Sequence, residues 1–452
     1  MSESNRDSFG SKLGVVLAAA GSAVGLGNIW RFPMEVGNNG GAAFILAYLC
    51  CVFFVAMPVM LGEFVIGRAS AANTVDSYRV LSPGRFWQMA GYLGVLSAFL
   101  ILSFYSVVAG WTVHYFSSSL SLGLSGDQDF TNVFAEFVSH PWKPLLYMAV
   151  FLLLTHLVVT RGVQKGIEKF SKLMMPALFL IMVLLAGGSL MMPGASKGLA
   201  FLLKPDFSKI TTDVLLSAMG QAFFSLSVGI GCMATYASYF KKETPLVASA
   251  LNVCMLDTAV AVLSGFVIFP AVFSVSGVQV DAGPGLVFIT LPNVFNLVFG
   301  KTPFLGYLFS SFFYLLLLLA ALTSSISMHE IGTAFVSEKF GQSRRRAATM
   351  VTVVCLFLGA CCSLSFGPWA HITFCGMGFF DLFDFLTAKL FMPVGGILIS
   401  LFAGWRLSRK RVKDELTNEN RLHVRGVNFL IFLLRWVAPI GVGVIFINEL
   451  FF

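Results

Sequence analysis

Arg31, Glu63, Asp257 and Asp384 are ionisable side chains inside stretches that are mostly apolar. A charge near the middle of a bilayer costs about 2.5–3.5 kcal/mol on insertion scales, so each is a candidate functional group. The run Gly21-Ser22-Ala23-Val24-Gly25-Leu26-Gly27-Asn28 precedes Arg31 and Pro33 within one such stretch. Glycines at 25 and 27 loosen a helix because they lack the Cβ that biases the backbone. A helix unwound at membrane depth frees carbonyls that can hold a cation. The half-helix that follows turns its N–H groups, and the positive end of its dipole, toward an anion. A tightly packed helix with a small-residue contact face is the alternative. Thr323 and Ser324 add hydroxyls of the hard-oxygen kind that suits an alkali cation. Taken alone, that pair is better explained by bonding back to its own helix. Glu63 can brace a broken helix from the side, and Asp257 has a polar centre to face.

These groups need long helices to position them. Apolar runs of 18 or more residues recur along the chain, and no sustained alternation marks strands. The expected fold is all-α and polytopic. Spans are placed at about 13–37, 41–67, 88–120, 143–160, 167–192, 213–239, 246–273, 304–338, 346–365, 372–403 and 428–450. The sixth contains Gly220-Gln221-Ala222-Phe223-Phe224-Ser225-Leu226-Ser227-Val228-Gly229-Ile230-Gly231, a second interrupted hydrophobic segment five spans after the first. Two breaks in corresponding positions point to a transporter built from inverted repeats. The chain then reads as one transmembrane domain, 1–452. Its first repeat covers about 13–192, its second about 213–403, and an extra helix about 428–450.

Composition agrees: 57% of the 452 residues are hydrophobic and 12% charged. The net charge of +8 is concentrated in segments this topology puts in the cytoplasm, such as Arg344-Arg345-Arg346 and Arg406 to Lys413. That asymmetry is the positive-inside pattern. It sets the N-terminus in the cytoplasm and, after eleven spans, the C-terminus outside. The basic loops suit an anionic lipid surface rather than nucleic acid. The 8 cysteines show no metal-ligand spacing and are expected as free thiols; the 6 histidines are scattered along the chain. No phosphate loop or nucleophile elbow appears, so an enzyme is not expected.

The stretches GSAVGLGNIWRFP (21–33), NNGGAAF (38–44), GQAFFSLSVGIG (220–231), TYASYF (235–240), GPGLVFITLP (283–292) and LTSSIS (322–327) resemble a bacterial amino-acid member of the neurotransmitter:sodium symporter family. Order and spacing agree over nearly the whole chain. Paired helix breaks are themselves known from this family, so the two lines of reasoning are not independent. The resemblance implies a five-plus-five inverted-repeat bundle with helices 1 and 6 broken, plus an eleventh helix. It also implies alternating access driven by sodium.

Carried over, it places a first sodium on the Ala23 carbonyl, Asn28, Ser225 and Asp257, with the substrate carboxylate as a further ligand. A second sodium would take carbonyls of Gly21, Val24 and Ala320 and the hydroxyls of Thr323 and Ser324. The substrate carboxylate would meet the amides of Leu26 and Gly27 and the Tyr105 hydroxyl. The ammonium would meet carbonyls of Ala23, Phe224 and Ser225 and the Ser227 hydroxyl. The side-chain pocket would be formed by Val24, Ile101, Phe224, Ile230, Ser324 and Met328, none of them charged. Tyr105 and Phe224 would cover the site, with Arg31 and Asp384 pairing above them. Arg6 and Glu338 would pair at the cytoplasmic mouth. The spacing Gly166-x9-Pro176 matches a family pattern for unwinding the inner end of span 5.

Two departures shape the expectation. Gly25 stands where monoamine carriers of the family place an aspartate, which implies an amino-acid substrate. Asp257 replaces a usual asparagine, while Ala261 stands where bacterial relatives often carry an acid. The Asp257 charge is expected to substitute for chloride. The expected protein is a sodium-coupled symporter of neutral apolar or aromatic L-amino acids in a bacterial inner membrane, using two sodium ions and no chloride. It would work as a monomer or weak oligomer. A proton-coupled carrier of the same fold and a non-transporting amino-acid sensor are the rivals.

Overall fold

The computed structural model describes residues 7–82, 84–121, 124, 128–275, 283, 285–299 and 302–451. The chain runs through α1 (Lys12–Ala23), α2 (Gly27–Asn38), α3 (Ala42–Ser70), α4 (Thr74–Leu81), α5 (Gln88–Leu120), α6 (Phe130–Ser139) and α7 (Lys143–Val159). It continues with α8 (Val163–Leu190), α9 (Ala195–Leu203), α10 (Thr212–Ser225), α11 (Cys232–Ala237) and α12 (Leu246–Val272). The remaining helices are α13 (Leu286–Phe299), α14 (Pro303–Phe340), α15 (Arg344–Leu364), α16 (Phe379–Arg406), α17 (Arg409–Leu416) and α18 (Val427–Leu450). Among the described residues, 8 continuous helices are long and apolar enough to cross a membrane; α1 and α2 make a further span bent by 57°. The 17-residue α7 and the divided α10–α11 pair occupy the positions expected of spans 4 and 6.

Both breaks have local causes. Val24 leaves the helix with ψ of 108°, and the Gly25 amide freed by the break donates to the Asn28 side chain at 3.0 Å. A Cβ on Gly25 would lie 2.5 Å from Ser324 Oγ and 3.2 Å from Tyr105 Oη, so only glycine lets these groups approach. After Ser225, positive φ at Ser227 (51°), Gly229 (96°) and Gly231 (75°) prevents the helix from continuing. The amides freed there are not left unpaired. Glu63, fully buried on α3, accepts from Gly229 N at 2.7 Å and Ala234 N at 3.1 Å. It braces the break from the side, as expected from its position in span 2.

The long α5 and α14 pack extensively against each other and form the wall behind the breaks. The stretch from Ala320 to Ala334 in α14 is buried throughout. Lipid-facing side chains lie on the outside, with Leu157, Leu180, Val353 and Phe357 all exposed. Two boundaries differ from the expectation. The helix of span 10 begins at Phe379 rather than near 372, because Cys375 (φ 53°) and Gly376 (φ 80°) close a tight turn between Phe374 and Met377. Span 5 begins at Val163, where the inner end is wound with i→i+5 hydrogen bonds rather than unwound. All 8 cysteines are free.

Helix α17 is tied to the C-terminal end of α3. Arg68 Nε meets Glu415 Oε2 at 2.6 Å, and its Nη1 donates to Thr244 O at 2.6 Å and Asn418 Oδ1 at 3.0 Å. His156 and His329, which look scattered in sequence, share the Thr352 hydroxyl, each at 2.9 Å.

Candidate functional site

Three groups of polar atoms converge where α1–α2 and α10–α11 break. The first is built on Asp257, fully buried on α12. Its carboxylate accepts from Asn28 Nδ2 at 2.7 Å, from Ser225 Oγ at 2.8 Å and from Tyr48 Oη at 3.2 Å. Asn28 Nδ2 also reaches Ser225 Oγ at 3.0 Å and the Asp257 carbonyl at 3.2 Å. Every one of these partners is neutral. A buried carboxylate is costly unless paired or placed on a cation, so this constellation fits a small cation beside it. Tyr48 belongs to the cluster and was missed by the sequence reading; a tyrosine inside a span was the available signal.

The second group joins α14 to the first break. Thr323 Oγ1 lies 3.3 Å from the Val24 carbonyl and 3.0 Å from that of Ala320. Ser324 Oγ donates to Val24 O at 3.0 Å and reaches Ser22 O at 3.3 Å. Gly21 is packed on Thr323, with a hypothetical Cβ 3.3 Å from Thr323 Cβ. Carbonyls and hydroxyls alone fit a hard alkali cation. The Val24 backbone turns toward this group, and its side chain is not part of the pocket wall expected of it.

The third group is a small cavity of about 40 Å³ between the breaks. Ala23, Leu26, Gly27, Ile101, Tyr105, Phe224, Ser225, Ser227, Ile230, Ser324 and Met328 line it, as expected for a substrate pocket. Met392 joins them from α16, which no periodicity in the sequence indicated. The Tyr105 hydroxyl accepts from the Leu26 amide at 3.2 Å, at the start of the second half-helix. Ser227 donates to the Ser22 carbonyl at 3.2 Å, tying the two breaks together.

Above this lies a cavity of about 290 Å³ whose wall includes Trp30, Arg31, Phe224, Asp384, Lys389 and Glu449. Arg31 and Asp384, expected to pair, face this cavity without forming an ion pair. The Arg31 guanidinium lies over the Phe224 ring at 4.5 Å, and its Nε is 3.9 Å from Glu35 Oε1. The open cavity between α2 and α16 keeps the two charges apart. Lys389, on α16, pairs instead with Glu449 of α18 at 2.9 Å.

Of the pair expected at the cytoplasmic mouth, Arg6 lies outside the described residues. Its expected partner Glu338 accepts from the Asn73 amide at 2.9 Å and from Asn73 Nδ2 at 3.0 Å. A second buried network was missed. Glu330, fully buried on α14, pairs with Arg344 at 2.5 Å and accepts from Tyr239 Oη at 2.7 Å. Glu330 satisfies the same rule that singled out Asp257, an acid within an apolar span.

The sequence matches the Sodium:neurotransmitter symporter family over residues 6–139 and 132–451. The chain belongs to this family. It is 40% identical over 451 residues to an uncharacterized sodium-dependent transporter YhdH of Bacillus subtilis (strain 168), covering 99% of this chain and 98% of that one. It is 26% identical over 465 residues to the human Sodium- and chloride-dependent GABA transporter 2, covering 91% of this chain and 75% of the relative. The crystal structure of MhsT in complex with L-phenylalanine aligns with a TM-score of 0.89 and 41% identity, covering 98% of this chain and all of that one. The protein is therefore a multi-pass, sodium-dependent membrane transporter of the symporter family, not an enzyme. Its fold is the all-α inverted-repeat bundle with helices 1 and 6 broken.

Proposed function

We propose that this symporter couples two sodium ions to the uptake of neutral apolar or aromatic L-amino acids by alternating access. The carrying observation is the Asp257 carboxylate, buried among neutral donors next to the small cavity at the two breaks. In this reading the first sodium binds Asn28, Ser225, Asp257 and the Ala23 carbonyl. The second binds Thr323, Ser324 and carbonyls of Gly21, Val24 and Ala320. The substrate carboxylate displaces the Leu26 amide from Tyr105 and takes both donors, at the positive end of α2. Sharing that carboxylate between the first sodium and the substrate makes each bind better in the presence of the other.

The pocket side chains Ile101, Phe224, Ile230 and Met328 offer apolar surface and no charge. MhsT, which shares 41% of the sequence, was crystallised with L-phenylalanine, and that supports the same substrate class here. The Asp257 charge stands in for chloride, and transport proceeds without it. The repeats span about 13–192 and 213–403, with a further helix at 428–450. The protein resides in a bacterial inner membrane with its N-terminus in the cytoplasm and its C-terminus outside. It works as a monomer or weak oligomer.

The test is uptake of labelled tryptophan, phenylalanine, leucine, alanine and glycine into proteoliposomes under an inward sodium gradient or an equal potassium gradient. Sodium-dependent accumulation of the large apolar members is expected. Equal uptake under both gradients removes sodium coupling and points to a proton-driven carrier; sodium-dependent binding without uptake points to a sensor.

A further inference from the structure

Helix α16 contributes to both cavities. Over Phe385–Phe391 its hydrogen bonds run i→i+5, and Met392 and Pro393 follow at once. Asp384, Lys389, Met392 and Pro393 all line the outer cavity. At 3.6 residues per turn, the nine steps from Asp384 to Pro393 make about two and a half turns and would set that pair on opposite faces. The widened turns cancel that drift. Asp384 and Met392, eight residues apart, fall within about 80° of each other even on a regular helix, so one face of α16 carries both a carboxylate and a thioether toward this cavity.

Met392 is 5% exposed and lines the small pocket as well as the outer cavity. Among the described residues, the others common to both are Leu26, Gly27, Tyr105 and Phe224, from the first break, α5 and α10. The Met392 carbonyl is packed on Gly229 so closely that a Cβ at 229 would overlap it. Gly229 is the residue with φ of 96° whose amide is held by Glu63. The Met392 main chain thus sits on the unwound segment, while its unbranched side chain keeps three rotatable bonds.

We propose that Met392 is a specificity-determining residue, the adjustable partition between pocket and outer cavity that decides how large a substrate side chain fits beneath Phe224. The inference rests on the amino-acid transport reading above and deepens it. Shortening the side chain joins the two cavities and favours a bulky ring; replacing it with a ring fills the space and favours a short aliphatic chain.

The experiment measures kcat/KM for L-tryptophan and L-leucine, with sodium saturating, in proteoliposomes of wild type, Met392→Ala and Met392→Phe. The tryptophan-to-leucine ratio is expected to rise about tenfold in Met392→Ala and to fall about tenfold in Met392→Phe, the discrimination that a methylene or two in an apolar pocket supplies. The sodium concentration for half-maximal uptake is expected to stay within about twofold, because Met392 supplies no ligand to either proposed ion site. Should both variants fail to fold in detergent, Met392→Leu, which nearly conserves volume, takes their place. Its stiffer branch is then expected to lower the ratio two- to threefold. A ratio within measurement error of wild type in the folded variants overturns the proposal. Absence of sodium-dependent amino-acid uptake by wild type itself overturns the transport reading instead, so the two failures are distinguishable.

Discussion

Thr323→Val isolates one hydroxyl at the second proposed ion site. Valine keeps the branched shape, so the packing of Gly21 against this position survives. The Thr323 hydroxyl is shared among the carbonyls of Val24 at 3.3 Å, Leu319 at 3.2 Å and Ala320 at 3.0 Å. None of these is short, and Val24 O keeps Ser324 at 3.0 Å. Losing this shared bond costs the sodium-free state about 0.5–1 kcal/mol. Losing an oxygen ligand from a charge costs the loaded state about 1.5–3 kcal/mol, the range for bonds to charged groups. The difference of about 1–2 kcal/mol corresponds to a factor of about 5–30 in sodium affinity. The assay is the sodium dependence of L-phenylalanine uptake into proteoliposomes. Half-maximal sodium should rise about 5- to 30-fold, while KM for phenylalanine at saturating sodium stays within about twofold. An unchanged sodium requirement in a folded Thr323→Val protein refutes the ion-site assignment.

Two further substitutions probe the remaining polar centres. Asp257→Asn removes the charge while keeping the shape. Wild-type uptake should be equal in chloride and gluconate, whereas the variant should lose at least tenfold in gluconate and recover part of it in chloride. Chloride stimulation of wild type at saturating sodium would sink the substitution hypothesis. Glu63→Ala leaves the amides of Gly229 and Ala234 buried without their acceptor. It should destabilise the protein by about 2–5 kcal/mol, seen as a lower melting temperature in detergent. A melting temperature equal to wild type would mean that the break holds itself open without this brace.

The spans were legible in the sequence because length and apolarity alone define them, and α5 falls at the expected 88–120. The two breaks were legible because glycine and serine interrupt otherwise continuous runs. The short helices α4, α6, α9, α13 and α17 were not, since eight to fourteen residues are too few to cross a bilayer and look like loop when read beside the long spans. The Arg31–Asp384 separation depends on how far α2 and α16 stand apart, which no local pattern encodes. Met392 was missed for a related reason. It stands eight residues after Asp384, on the same face of a regular helix, and nothing local says that this face of span 10 meets the pocket. Tyr48 and Glu330 were within reach of the rule for polar groups in a span and needed only its wider application.

Much of the acceptor surface at the first break is main chain. The carbonyls of Ser22 and Val24 take hydroxyl donors from Ser227, Thr323 and Ser324. A carbonyl cannot be deleted by changing a codon, whereas Ile101, Ile230, Met328 and Met392 can each be exchanged in a single step. Within the proposed sites, mutation therefore reaches the apolar pocket wall more readily than it reaches these main-chain acceptors. A lineage that inherits such a division can acquire new nutrients without rebuilding its engine.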